Sequence, residues 1–109
     1  WSSSCSACIQ EIPRLEELYK RYRKYGFEII GINGDKLSTI RRFRQSRFPM
    51  PWLHAQITQK EWIKLNDTFE TFHTALRPIL VNAQGEIIAE GNDAQGERLH
   101  STLKQLFTP

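Results

Sequence analysis

An α/β domain of alternating helices and strands is the fold class this sequence predicts. Three observations carry it. Apolar residues recur at three- and four-residue intervals near the start of the chain. A β-branched run, Ile29-Ile30-Gly31-Ile32, follows soon after a glycine. Two short apolar runs further on are joined by Ala83-Gln84-Gly85. The first pattern belongs to a helix with one buried face, the second to a strand inside a parallel sheet, and the third to a β-hairpin. At 109 residues, 39% hydrophobic and 25% charged, the chain fits one domain spanning residues 1–109.

The first helix carries a stripe of Cys8, Ile12, Leu15, Tyr19 and Tyr22. Pro13 lies in it and is expected to kink it, because proline lacks an N–H and crowds the preceding turn. Gly26 is the natural stop. Residues Phe27 to Asn33 read as a buried parallel strand, and Gly34-Asp35 turns the chain out of the sheet. Asp35 or Ser38 is placed to cap a second helix carrying Leu37, Ile40 and Phe43. Phe48-Pro49-Met50-Pro51-Trp52 is irregular, with two prolines. Trp52 is read equally as a groove residue or a core aromatic. Glu61 to Leu65 form a short helix, and Phe69 and Phe72 lead to the next strand. Strands at Ile79–Asn82 and Glu86–Ala89 make the hairpin, and a final helix buries Leu99, Leu103, Leu106 and Phe107.

The formal charge is only +3. The clusters Arg21-Tyr22-Arg23-Lys24 and Arg41-Arg42-Phe43-Arg44 with Arg47 are read as solvated helix faces, offset by Glu16, Glu17 and Glu28, and no nucleic-acid partner is expected. No apolar run reaches the length of a membrane span, and no signal peptide is present. An exported protein would carry its targeting segment upstream of Trp1.

Cys5-Ser6-Ala7-Cys8 holds the chemistry. Two thiols at this spacing can close a disulfide across the first turn of a helix. The unpaired N–H groups and partial positive charge at that end favour a thiolate on the first cysteine. Cys5 is then the nucleophile and Cys8 the thiol that resolves the mixed disulfide. A structural zinc site would need four ligands. No second cysteine pair exists, and His54, His73 and His100 lack ligand spacing, so no metal is expected.

The segment Trp1-Ser2-Ser3-Ser4-Cys5-Ser6-Ala7-Cys8-Ile9-Gln10-Glu11-Ile12-Pro13 resembles the active site of thioredoxin-like proteins, and within them the TlpA/ResA-like branch. That branch follows the pattern W-A-x-W-C-x-x-C-x-x-E-x-P, matched at Trp1, Cys5, Cys8, Glu11 and Pro13. Ser4 departs from it where tryptophan is usual, and Ala7 where proline is common. The resemblance implies a thioredoxin-like fold, a central mixed sheet flanked by helices, in which the strand feeding the CxxC is central. That N-terminal strand is absent ahead of Trp1, so residues 1–109 are expected to be a fragment of a longer protein, or to borrow a strand, and to be poorly stable alone.

The resemblance further implies a substrate-binding proline beside the thiols, in the cis form. Pro78, preceded by Arg77, is the candidate, with Leu76 the alternative by register. Trp1, Arg77 and Pro78 are the expected substrate-binding residues. Glu11 is expected to raise the cysteine pKa and relay protons, against the plainer reading of a solvated helix glutamate. The implied function is thiol–disulfide exchange with protein dithiol or disulfide substrates, without a bound cofactor. The implied location is periplasmic or extracytoplasmic, with membrane anchoring through an upstream segment, electrons from a membrane-bound donor and cytochrome c biogenesis as one role. Ser6-Ala7 leaves reductase and isomerase directions open. Two other readings stand: a redox-inactive binding or scaffold domain, and a peroxiredoxin-like peroxidase, whose P-x-x-x-T-x-x-C approach is missing from Trp1 to Ser4.

Overall fold

Residues 1–69 and 78–108 are described by a computed structural model, without the side chains of Asn66 and Phe69. In chain order they form α1 (Ser6–Tyr22), β1 (Ile30–Asn33), α2 (Leu37–Ser46), β2 (Leu53–Gln56), α3 (Gln59–Phe69), β3 (Ile79–Val81), β4 (Ile87–Glu90) and α4 (Gly96–Phe107). Short 3₁₀ turns follow α1 and β4.

α1 forms where its apolar periodicity placed it. Cys8, Ile12, Tyr19 and Tyr22 of the expected stripe are buried, Leu15 is only half-buried, Leu18 is buried though not expected, and Pro13 lies inside the helix. Without a proline N–H, the Ile9 carbonyl loses its usual partner one turn on. Gly26 ends the segment at φ +102°, while Phe27 N–H returns to the Tyr22 carbonyl at 3.3 Å. That left-handed stop is open only to glycine at no steric cost.

β1 pairs with β2 in parallel, Ile30 opposite Leu53 and Asn33 opposite Gln56, and β3 pairs with β4 antiparallel. Among the described residues no ladder joins the two pairs. The carbonyls of Ile29 and Asn33 face β2, accepting from Leu53 and Ile57. By alternation the Ile32 carbonyl points to the other edge of β1, where it accepts from the Trp1 nitrogen at 2.9 Å.

The core has two parts that share α1. Ile12, Tyr19, Phe43, Met50 and Trp52 form one cluster, with Trp1 and Phe48 against it. Leu18, Tyr22, Leu99 and Leu103 form the other, with Leu80 and Phe107 against it, and Leu15 and Phe27 touch both. Trp52 is thus a core residue, stacked edge-on to Tyr19.

Several expectations need correction. The strand expected over Phe27–Asn33 is shorter and not wholly buried: Ile30 is 61% exposed, since its face has no cover among the described residues. β2 was not foreseen, and the helix expected at Glu61–Leu65 extends over Gln59–Phe69. Thr58 and Glu61 begin that helix with a reciprocal capping box, Thr58 N–H to Glu61 Oε1 at 2.9 Å and Glu61 N–H to Thr58 Oγ1 at 3.1 Å. Neither Asp35 nor Ser38 caps α2; Lys36 precedes it with no side-chain cap, because Asp35 is held elsewhere. Leu106 is 51% exposed rather than buried. Phe72 lies outside the described residues.

The hairpin turn is organised by Asn82, whose Oδ1 accepts from the Gln84 and Glu86 N–H groups. The basic clusters cover aromatic rings: Arg23 lies over Tyr19, and Arg47 over Phe43 and Phe48.

Candidate active site

Cys5 is the residue immediately before α1, in extended conformation, and its sulfur accepts the Cys8 N–H at 3.2 Å. Its carbonyl accepts from Ile9, and its own N–H donates to the Ser2 carbonyl. Sulfur therefore stands where a serine or aspartate oxygen usually caps a helix. Cys5 and Cys8 form a disulfide, with Cα atoms 5.3 Å apart. The two cysteines differ in access: Cys8 is 3% exposed, whereas Cys5 is half-buried. Cys5 is therefore the more accessible of the pair. Once the bond is reduced, the first-turn N–H groups stabilise a Cys5 thiolate.

The segment that carries Cys5 is pinned to the carboxyl end of β1. Ser3 N–H donates to Asp35 Oδ2 at 2.9 Å, Asp35 N–H to Asn33 Oδ1 at 2.6 Å, and the Gln56 side chain to the Asp35 carbonyl at 2.8 Å. Asn33 is 1% exposed. Sequence reasoning missed this function for Asp35 and Asn33. The available signal was Asn33-Gly34-Asp35 at the carboxyl end of a parallel strand, where α/β proteins gather their sites.

Trp1 packs its indole on Phe43, with ring centroids 5.2 Å apart. Its Nε1 closes on Gly31 together with Trp52 Nε1 and His54 Nδ1. A Cβ on Gly31 would lie 3.3 Å from both indole nitrogens and 3.4 Å from the imidazole. Glycine permits this close approach of rings to backbone.

His54 Nε2 lies 2.8 Å from the Met50 carbonyl and so carries the proton, leaving Nδ1 buried without a partner among the described residues. Burial holds the His54 pKa below the usual 6.5, and the Arg44 charge adds to this, against the opposing effect of the Met50 hydrogen bond. Met50 itself sits at φ +41°, unusual for a side chain. Its N–H is held by Glu16 Oε2 and its carbonyl by His54, Arg44 and the Trp52 N–H.

Glu11 lies on α1 one turn after Cys8, and its Oε1 accepts the Gly96 N–H at 2.8 Å, at the start of α4. Pro78 stands just ahead of β3, half-buried, its carbonyl accepting from Gly91. Arg77, Leu76 and the peptide bond into Pro78 lie outside the described residues. Cys5 and Cys8 thus lie together at the start of α1, Glu11 ties that helix to α4, and the Trp1 indole packs against Phe43 and Gly31.

A helix opening on a cysteine disulfide, beside a parallel strand pair and followed by a hairpin and a closing helix, defines a thioredoxin-like domain. Two solved structures share this fold. A thiol:disulfide interchange protein from Bacteroides sp. superposes with a TM-score of 0.87 at 21% identity, covering 100% of this chain and 70% of that one. The thioredoxin domain of a thiol-disulfide oxidoreductase from Bacteroides vulgatus gives 0.85 at 21% identity, covering 97% and 74%.

Residues 1–88 match the AhpC/TSA family, and the chain belongs to it. It is also similar to thiol-disulfide oxidoreductase ResA of Halalkalibacterium halodurans, 27% identical over 114 residues. All of this chain is covered in that match, and it spans 60% of the relative's length.

Proposed function

We propose that this chain is the redox domain of a thiol–disulfide oxidoreductase that exchanges disulfides with protein substrates through Cys5 and Cys8. One observation carries the reading: the sulfur of the half-buried Cys5 caps α1 while its disulfide partner Cys8 is buried. Similarity to the ResA protein supports it.

In the reducing direction, a Cys5 thiolate attacks one sulfur of a substrate disulfide. A Cys5–substrate disulfide forms, and one substrate thiolate leaves and takes a proton from water. Cys8 then loses its proton and attacks the Cys5 sulfur, releasing the second substrate thiolate and restoring the Cys5–Cys8 disulfide. Two electrons pass from the domain to the substrate, and a dithiol donor must return them. The Cys5–Cys8 disulfide of the structure is the state awaiting that donor.

Within this reading Glu11 assists proton removal from the thiols, with one oxygen anchored at Gly96. Trp1, Arg77 and Pro78 border the substrate. The work is that of a reductant in the cell envelope, periplasmic or extracytoplasmic, supplied by a membrane-bound donor.

The test is the reduction potential of the Cys5–Cys8 pair, read by alkylation and mass after equilibration in thiol–disulfide buffers, with Cys8→Ser as control. A value near or below about −250 mV supports the reductant, and roughly −180 to −120 mV moves the reading to isomerase or oxidase work. A pair that never re-forms its disulfide leaves a binding or scaffold domain.

A further inference from the structure

A cleft of about 210 Å³ opens beside the redox turn. Trp1 and Ser2 bound it on the side of the CxxC, Asp35 at the end of β1, Ile57 and Thr58 after β2, and Trp62 on α3. The Ser2 carbonyl accepts the Cys5 N–H at 3.1 Å, so one turn of chain separates the cleft from the reactive sulfur. Its walls are fixed. Ser3 N–H holds Asp35, and the Thr58–Glu61 capping box locks the start of α3.

Resting on the exchange reaction above, we propose that this cleft receives a lysine or arginine side chain flanking the reacting cysteine of the substrate polypeptide. Asp35 supplies the one charged side chain in the lining. Its Oδ2 takes the Ser3 N–H, its Oδ1 accepts no hydrogen bond among the described residues, and the Trp1 α-ammonium lies near enough to feel its charge. Trp62 borders the space, and a cation is attracted to an indole face. An apolar occupant would strip water from the carboxylate and give nothing back, whereas a cation compensates it. The preference is local, because the chain as a whole carries +3 and repels basic peptides.

The test uses the reduced chain and three peptides, each bearing one cysteine as its mixed disulfide with 5-thio-2-nitrobenzoate. Lysine, norleucine or glutamate flanks the cysteine on both sides. Attack by Cys5 on the peptide sulfur forms the Cys5–peptide disulfide and expels the coloured thiolate, and Cys8 then displaces the peptide thiol. Rates are divided by those with dithiothreitol, which removes the peptides' own reactivity.

The lysine peptide is expected to react about tenfold faster than the norleucine peptide at low salt, and the glutamate peptide slowest. Asp35→Asn keeps an oxygen for Ser3 N–H and is expected to bring the lysine-to-norleucine ratio near one. Trp62→Leu should lower the same ratio. A wild-type ratio near one, or a ratio unchanged in both variants, overturns the proposal. If no peptide reacts, the exchange reading fails on its own, and the cleft is then read by binding. Cysteine-to-serine peptides are titrated against the indole N–H resonance of Trp62. Tighter binding of the lysine peptide, lost in Asp35→Asn, upholds the cleft; equal binding of lysine and norleucine peptides overturns it.

Discussion

Helices α1 and α4 face the same physical problem at their first turn and solve it with different atoms. Each begins with N–H groups that have no partner inside the helix. At α1 the acceptor is the sulfur of the preceding residue, Cys5, whose covalent partner changes with redox state. At α4 the preceding residue, Gln95, makes no side-chain cap, and Glu11 of α1 supplies the acceptor to Gly96. The first cap is local and chemically labile; the second is tertiary and permanent. Arg14 and Glu97 add an ion pair at 2.6 Å between the same two helices. α4 is therefore positioned by the helix that carries the cysteine pair.

The largest effect should come from breaking the labile cap. Cys5→Ser is expected to abolish exchange completely, while Cys8→Ser retains the first attack and accumulates a mixed disulfide visible by mass. Serine is itself a good cap, so the unfolding free energy of Cys5→Ser in urea should match that of the reduced wild type within about 0.5 kcal/mol.

Next comes the packing that the second cap serves. Leu103 has no exposed surface, and Leu103→Ala should cost about 2–5 kcal/mol in denaturant unfolding. Smaller again is the cap itself. Glu11→Ala should destabilise by about 1–2 kcal/mol, and Glu11→Gln, which keeps an oxygen for Gly96, by well under half of that. If Glu11 also serves the thiols, Glu11→Gln will slow exchange while leaving stability nearly intact, which separates its two roles.

The smallest effect lies on the α1–β2 side of the core. A histidine whose pKa is depressed in the folded state binds fewer protons there than when unfolded. Stability should be constant above about pH 6.5, fall as pH drops from that value to the lower folded pKa of His54, and then level off. His54→Gln retains a donor for the Met50 carbonyl and should remove this step from a plot of urea midpoint against pH.

The redox turn was legible in the sequence because its geometry is local: a cysteine, two small residues, a cysteine and a helical stripe. The stripe also gave most of the α1 contribution to the core, Leu18 excepted, and Ala83-Gln84-Gly85 gave the hairpin. What escaped depends on distant partners. Leu53-His54-Ala55-Gln56 has little apolar character, and it is a strand because β1 lies beside it. Asp35 looked like a helix cap, but an amide 32 residues away, that of Ser3, holds it. No local pattern signals that Glu11 reaches Gly96, 85 residues on.

α1 belongs to both hydrophobic clusters, and Leu15 and Phe27 touch each of them. Neither half can melt while the other keeps its full complement of contacts, so unfolding should be a single cooperative event. Cys8 rides on that shared helix at 3% exposure. In the reduced protein, an alkylating reagent should therefore label Cys5 from the native state but reach Cys8 largely through opening of α1. The rate at which Cys8 reacts then becomes a clock for the fluctuations of the whole core.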